Sequence, residues 1–443
     1  MQIDLPIDIF TYPDMPLPHV WTVEQLYDTP ALTAEQIIRQ TQSAVDALIQ
    51  QYNLRAGATV AVGVGSRGLD NLVIIITAVI ARLRALDMQP FIIPAMGSHG
   101  GATAEGQIDL LHGYGILPEI VGAEIRATME VTQIGTLDGA EAGEYAGQPV
   151  YCDRNAAAAD AILLVNRIKA HTDFSGDWES GIGKMSVIGL GKRHGAESVH
   201  RYGAQGLRDL IPRLARFNAQ HLPLLGGIVL LENELGHTSE IHALPPSQIG
   251  NEGEKNLLTR ARQTAPSLPF QELDVLIVDE MGKNISGAGL DTHVIGRGIM
   301  PSIPEHTWGG PNIRIIAVLD LTPASHGNAT AFGLADMFTR KIIEKTDFIA
   351  SFINMRTSGE GGILRARLPL IQPTGEDCVR TAYACCGKAE PRHVRFARIH
   401  NTADTQYLEV SEAMLDEARQ NLRLRVSAES HLLDLCDPVR PVR

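Results

Sequence analysis

The chain has 443 residues, of which 44% are hydrophobic and 20% charged, with 51 acidic against 38 basic side chains and a formal net charge of −13. That composition is globular and excludes a disordered chain, a collagen-like repeat and a coiled coil. The acidic balance excludes a general binder of nucleic acid or of anionic membranes.

The first ten residues carry acids and no basic flank, so they do not read as a signal peptide. Apolar residues at helical spacing predict a helix over 34–52, opened by Thr33 and Gln36 as a capping box. A buried strand is expected over 59–64, a buried helix over 71–86, a strand over 89–94 and a helix from 103 to 112. Residues 72–81 are the most apolar run and stop at Arg82, short of the ~20 residues a membrane span requires. Further buried strands are expected over 161–165, 228–232, 273–278 and 313–319. A polar stretch between Glu232 and Leu273 separates two domains, 1–268 and 269–443, the second closing with a helix over 411–422 and a surface tail from Pro438. Strands alternating with helices predict an α/β protein of two α/β domains with parallel or mixed sheets. The 5 cysteines are odd in number and form no Cys-x-x-Cys, which points to a reducing, cytoplasmic setting.

Two tempting motifs fail on their chemistry. Gly63-Val64-Gly65-Ser66-Arg67-Gly68 fits a dinucleotide fingerprint. The next strand, however, ends Ile93-Pro94-Ala95-Met96, with no acid for a ribose. Its glycines still mark a turn suited to an anion. Gly181-Ile182-Gly183-Lys184-Met185 resembles a phosphate loop but has Trp178 where the first glycine belongs and Met185 after the lysine.

Three other segments carry chemistry. In Gly97-Ser98-His99-Gly100-Gly101, a histidine follows a strand and precedes a helix, at the sheet edge where ligands bind in α/β folds. The blander reading is a turn with an incidental surface histidine. In Asn166-Arg167-Ile168-Lys169-Ala170-His171-Thr172-Asp173, His171 follows another strand and is expected at the same edge. Imidazoles titrate near neutrality, so the two suit acid and base roles. Asp173 is either a tuning carboxylate or a turn cap. Third, Lys184 stands in a glycine-flanked loop among apolar residues, where desolvation would make its amine nucleophilic. His194 and His200 are competing metal ligands nearby.

Taken together, these segments resemble the nickel-dependent lactate racemase family, in particular divergent members with Gly-Ser-His-Gly-Gly-Ala-Thr. The resemblance spans about residues 60–205. It implies two α/β domains with the active site in the cleft between them, and a nickel-pincer nucleotide (pyridinium-3,5-bisthiocarboxylic acid mononucleotide) attached at Lys184. It selects His200 as the nickel ligand, since 200 − 184 = 16 is the family spacing. It makes His99 and His171 the acid/base pair, Arg67 and Lys283 substrate-binding cations, and Ser66 and Gly183 contacts to the cofactor. His293, Arg297, His326 and Asn328 are weaker candidates, for which structural roles are the first expectation.

The implied reaction is racemisation or epimerisation of a 2-hydroxy acid. Deprotonating carbon beside a carboxylate is unfavourable; removing hydride to the cofactor leaves a ketone instead. Val64 replaces the acid of the family's Asp-x-x-Arg turn, and Gly100 replaces an arginine after the first histidine. These changes surround the substrate and shift the expectation from lactate toward a larger or sugar acid. The implied partners are that small molecule and the proteins that build the cofactor and load nickel. The alternatives are a cofactor-binding protein without turnover and a nicotinamide-dependent dehydrogenase.

Overall fold

The computed structural model describes residues 11–52, 54–330, 332–436 and 439. The expectations for the first ten residues and, Val439 aside, for the tail lie outside these. The protein is a two-domain α/β structure. One unit is Thr29–Ala265, and the other joins the residues up to Asp28 with those from Pro266 onward. This differs from the expected 1–268 and 269–443 at the amino terminus. His19–Gln25 forms a strand, β1, that pairs antiparallel with a strand near the other end of the chain, with Trp21 opposite Val410. Val20 and Val23 of β1 are fully buried. Of its seven residues Val20, Trp21 and Val23 are apolar, and no local feature names its sheet; distant pairing decides it.

In the unit Thr29–Ala265 the helix Ala34–Ile49 opens with the expected capping box. The Thr33 hydroxyl accepts the Gln36 N–H at 3.3 Å and Gln36 Oε1 accepts the Thr33 N–H at 2.8 Å. Such a cap contributes about 1 kcal/mol. Strands β2 (Thr59–Val64), β3 (Gln89–Pro94), β6 (Ala161–Arg167), β7 (Leu224–Glu232) and β8 (Thr238–Leu244) make one sheet in the order β3-β2-β6-β7-β8. The first four are parallel and β8 is antiparallel to β7. Val60, Val62, Val64, Leu163, Val165, Ile228 and Leu230 share its core, as expected for strands covered on both faces. A separate hairpin joins β4 (Val131–Leu137) and β5 (Gln148–Asp153). The chain leaves β2 toward β3 but leaves β6 toward β7, so the connections diverge between β2 and β6. Open α/β sheets bind ligands beyond the carboxyl ends of strands at such a point.

The stretch read as a polar connector holds β8 and the helix Glu252–Gln263. Only Thr238, Ile241 and Leu244 of β8 are buried, a period too sparse to signal a strand.

The other unit has one mixed sheet. Its strands are β1, β9 (Glu272–Met281), β10 (Asn312–Leu321), β11 (Met337–Thr339), β12 (Leu370–Gln372), β13 (Phe396–Asn401), β14 (Asp404–Ser411), β15 (Leu424–Val426) and β16 (His431–Leu432). The order is β12-β11-β10-β9-β13-β14-β1-β15, with β16 also on β1. The segment β12 to β13 is parallel and the rest antiparallel. The closing helix is shorter than expected, Leu415–Gln420, because Ser411 ends β14, Glu412–Met414 form a tighter 3-10 turn and the helix stops at Asn421. Among the described residues no helix is long and apolar enough to cross a membrane.

Candidate active site

Three loops at the carboxyl ends of β2, β3 and β6 bring the predicted residues of the unit Thr29–Ala265 together. After β2 the chain turns through Ser66 and Arg67. Arg67 Nη1 donates to the Ser66 carbonyl at 3.0 Å, and the Tyr114 hydroxyl donates to the same carbonyl at 2.8 Å. Of the glycines here, Gly63 serves packing, while Gly65 and Gly68 have only ordinary contacts about them. A Cβ on Gly63 would lie 2.6 Å from Leu164 Cδ2, and the left-handed residue before the helix Leu72–Ala85 is Asn71, with φ +60°.

After β3, Gly97 (φ +59°), Gly100 (φ +66°) and Gly101 (φ +64°) wind the turn that carries His99. A Cβ on Gly100 would come 2.5 Å from the Gly106 carbonyl carbon, so the turn and the helix Ala104–Gly113 meet backbone to backbone. His99 Nδ1 lies 2.7 Å from the Met96 carbonyl and Nε2 lies 3.3 Å from Arg67 Nη1. A carbonyl only accepts and a guanidinium only donates. His99 therefore carries its proton on Nδ1 and presents the Nε2 lone pair.

After β6 the polarity reverses. The Asp173 backbone N–H donates to His171 Nδ1 at 3.0 Å, and the Asp173 carboxylate is 4.0 Å from the same nitrogen. Asp173 thus both shapes the turn and tunes the ring. With Nδ1 accepting, a neutral His171 bears its proton on Nε2. That nitrogen is in hydrogen-bond contact with Lys184 Nζ. The Nε2–H can be accepted only by an unprotonated amine, so this arrangement belongs to neutral Lys184. Burial points the same way: it pushes Lys184 down to about 8, reinforced by Arg67 and opposed by Asp173 and Glu179. His171 is held well below its ordinary value, by burial first and then by the charge on Lys184.

Two buried carboxylates that sequence reading missed hold this arrangement. Glu179 accepts the N–H groups of His171 at 2.6 Å and Gly176 at 2.8 Å, and pairs with Arg262 at 2.5 Å. Glu254 accepts the N–H groups of Gly183 and Gly250, each at 2.8 Å, at the start of the turn carrying Lys184, and these donors oppose the burial that pushes its carboxyl up. Cβ atoms on Gly181 and Gly183 would lie 2.5 and 2.9 Å from the Glu254 carboxylate oxygens. Gly183, expected to touch a cofactor, gives its N–H to Glu254, and a side chain there would meet that carboxylate. Glu179 stands just before the lysine loop, a visible acid with an invisible partner, while Glu254 lies far downstream with no local signal.

Beyond Lys184 the helix widens into a π turn over Met185–Gly189 and resumes as Lys192–His200. Such turns recur at functional sites. His200 is lowered by burial first and by Lys184 second, which places it within reach of that amine's charge. His194 instead packs against Tyr151, with ring centroids 5.7 Å apart. Arg67, His171, Lys184 and His200 are thus coupled through their charges, and His99 joins them through Arg67.

Lys283 belongs to the other unit, just past β9. Its ammonium contacts Asn354 and its N–H donates to Ser325 Oγ at 2.9 Å. His293 is tied to the Trp308 carbonyl at 2.7 Å, and Arg297 to Asp336 at 2.8 Å and the Ile313 carbonyl at 2.9 Å; both brace the fold. His326 is exposed in a left-handed turn with φ +48°, and the Asn328 N–H donates to the Ser325 carbonyl at 2.8 Å.

No family model matches the chain, and no curated protein matches its sequence. Among solved structures it is similar to the crystal structure of a Thermotoga maritima protein from a structural-genomics consortium. The identity is 13% over 85% of this chain and 89% of that one, with a TM-score of 0.47.

Proposed function

We propose that this chain is a racemase or epimerase of a 2-hydroxy acid that works in the cytoplasm through a nickel-pincer nucleotide attached at Lys184. The observation that carries the reading is the Lys184–His171 pair. A shielded lysine whose partner can accept no proton from it is a nucleophile ready for a covalent link.

The residues present fit such a group. Lys184 would hold it covalently and His200 would supply a metal ligand. An imidazole must be neutral to bind metal, and burial keeps His200 so. Among the described residues no group of three or more His, Cys, Asp or Glu side chains could hold a metal ion. A metal here would bring most of its ligands with it, as a pincer does. When bound, the cofactor would supply a hydride acceptor tuned by its nickel.

The chain's own part is acid–base chemistry and orientation. The two histidines rest in complementary tautomers. His99 offers a lone pair at Nε2 to take the hydroxyl proton, and His171 would return one from Nε2 in its protonated, imidazolium form, reverting to the neutral ring. Racemisation run in reverse exchanges these roles. Arg67, hydrogen-bonded to His99, would hold the substrate carboxylate. Val64 lies buried in the sheet core and Gly100 packs against Gly106, so the preference for a larger or sugar acid over lactate rests on the sequence resemblance.

Whole-protein mass spectrometry and nickel analysis on protein from a host that makes and loads the cofactor test the link. A stereochemical assay over a panel of hydroxy acids tests turnover. An adduct on Lys184 with nickel and interconversion of enantiomers or epimers is the expected result. An adduct without turnover identifies a carrier, and no adduct from such a host rejects the proposal.

A further inference from the structure

Lys192 is a buried cation that the proposed reaction does not use. Lys192 and Gln107 are both 0% exposed. An ammonium has three donors and no acceptor, and burial without partners is costly. Two oxygens accept from this one, Gln107 Oε1 at 3.0 Å and the Pro94 carbonyl at 2.5 Å, and Asp153 Oδ2 forms an ion pair with it at 3.0 Å. The other Asp153 oxygen accepts the N–H groups of Asn155 at 2.8 Å and Ala156 at 3.1 Å, so the carboxylate is itself fixed.

Because an ammonium only donates, it dictates which end of the Gln107 amide is oxygen. The amide nitrogen must then face away, and it donates to the carbonyls of Gly97 at 2.9 Å and His99 at 3.2 Å. Those carbonyls belong to the turn that holds the His99 ring. Lys192 is also left-handed, with φ +53°, a conformation a residue with a side chain adopts only when its surroundings impose it. It starts the helix that ends at His200, and just before it the Gly189 carbonyl accepts the Gly97 N–H at 3.2 Å. One cation therefore ties the His99 turn to the segment between Lys184 and His200.

We propose that Lys192 is a positioning residue which, through Gln107, sets the turn around His99 and so the Nδ1–H tautomer in which that imidazole meets Arg67. The functional importance of this rests on His99 acting as an acid/base; the geometry does not depend on a cofactor.

The test uses the full chain as Gln107→Met, which has no amide donor, and as the double variant Lys192→Met with Asp153→Asn, which removes the cation without stranding its counter-charge. Nitrogen-15 NMR of the imidazoles reports the His99 tautomer, and hydrogen exchange reports the Gly97 and His99 amides. In the native protein the Nδ1–H form should dominate. In both variants the tautomers should mix, and the two amides should exchange roughly tenfold faster, the loss of about one hydrogen bond, while exchange in the helix Ala34–Ile49 stays unchanged. An unaltered tautomer and unaltered exchange in Gln107→Met overturn the relay even if the double variant fails to fold. A change in Gln107→Met with none in a folded double variant overturns the role of Lys192. Absence of an adduct on Lys184 would count against the proposed function and leave this result standing.

Discussion

Replacing Lys184 by methionine should stabilise the adduct-free chain near neutral pH and destabilise it in alkali. The folded amine titrates at about 8 against 10.5 in the unfolded chain. Between those values the unfolded state binds more protons, so stability rises with pH through that window. Below about 8 the fold carries the whole penalty of holding an ammonium there, about 3 kcal/mol at 1.36 kcal/mol per pH unit. Methionine removes the penalty but leaves the His171 Nε2–H without its acceptor, a loss of about 1 kcal/mol. The variant should therefore be about 2 kcal/mol more stable than the native chain at pH 7, and about 1 kcal/mol less stable once the pH exceeds the unfolded value. Urea unfolding at several pH values, on protein whose mass shows no adduct, measures the difference. A methionine variant less stable at pH 7, or a difference that does not vary with pH, would refute the neutral-amine reasoning.

His99→Gln should lower turnover by about 10²–10⁴ while an adduct at Lys184 remains in the mass spectrum; retention of native kcat would remove His99 from the chemistry. Arg67→Ala should raise KM and lower kcat together, and Arg67→Lys should not restore them, because a point charge lacks the bidentate fork; steady-state kinetics on the preferred acid decides. Gly181→Ala places a Cβ 2.5 Å from Glu254 Oε1 and 3.0 Å from Ile168 Cγ1, and should cost about 1–3 kcal/mol together with adduct yield, read by denaturation and mass. Thr33→Ala breaks the capping box and should cost about 1 kcal/mol with kinetics unchanged.

Local chemistry carried much of this protein into view before any coordinates. The capping box of Thr33 and Gln36, the strand Thr59–Val64 and the strand Gln89–Pro94 fall where side-chain period and turn residues put them. The strand-end positions of His99 and His171 follow from the same alternation, since a residue just past a buried parallel strand lands at the carboxyl edge of its sheet. The glycines near His99 were visible too, but their reason was not: Gly100 is there because Gly106 passes so close behind it.

What pattern along the chain could not reveal is everything set by groups distant in number and adjacent in space. Nothing local assigns β1 to the sheet of the C-terminal half, marks Glu254 as the carboxylate beneath the lysine turn, or pairs Asp153 with Lys192. The protonation of the site belongs to the same class. Whether an imidazole nitrogen gives or takes a proton depends on which atom faces it, the Met96 carbonyl for His99 and the Asp173 N–H for His171. Those facing atoms are fixed by packing, because hydrogen bonds act over about 3 Å whatever the separation along the backbone.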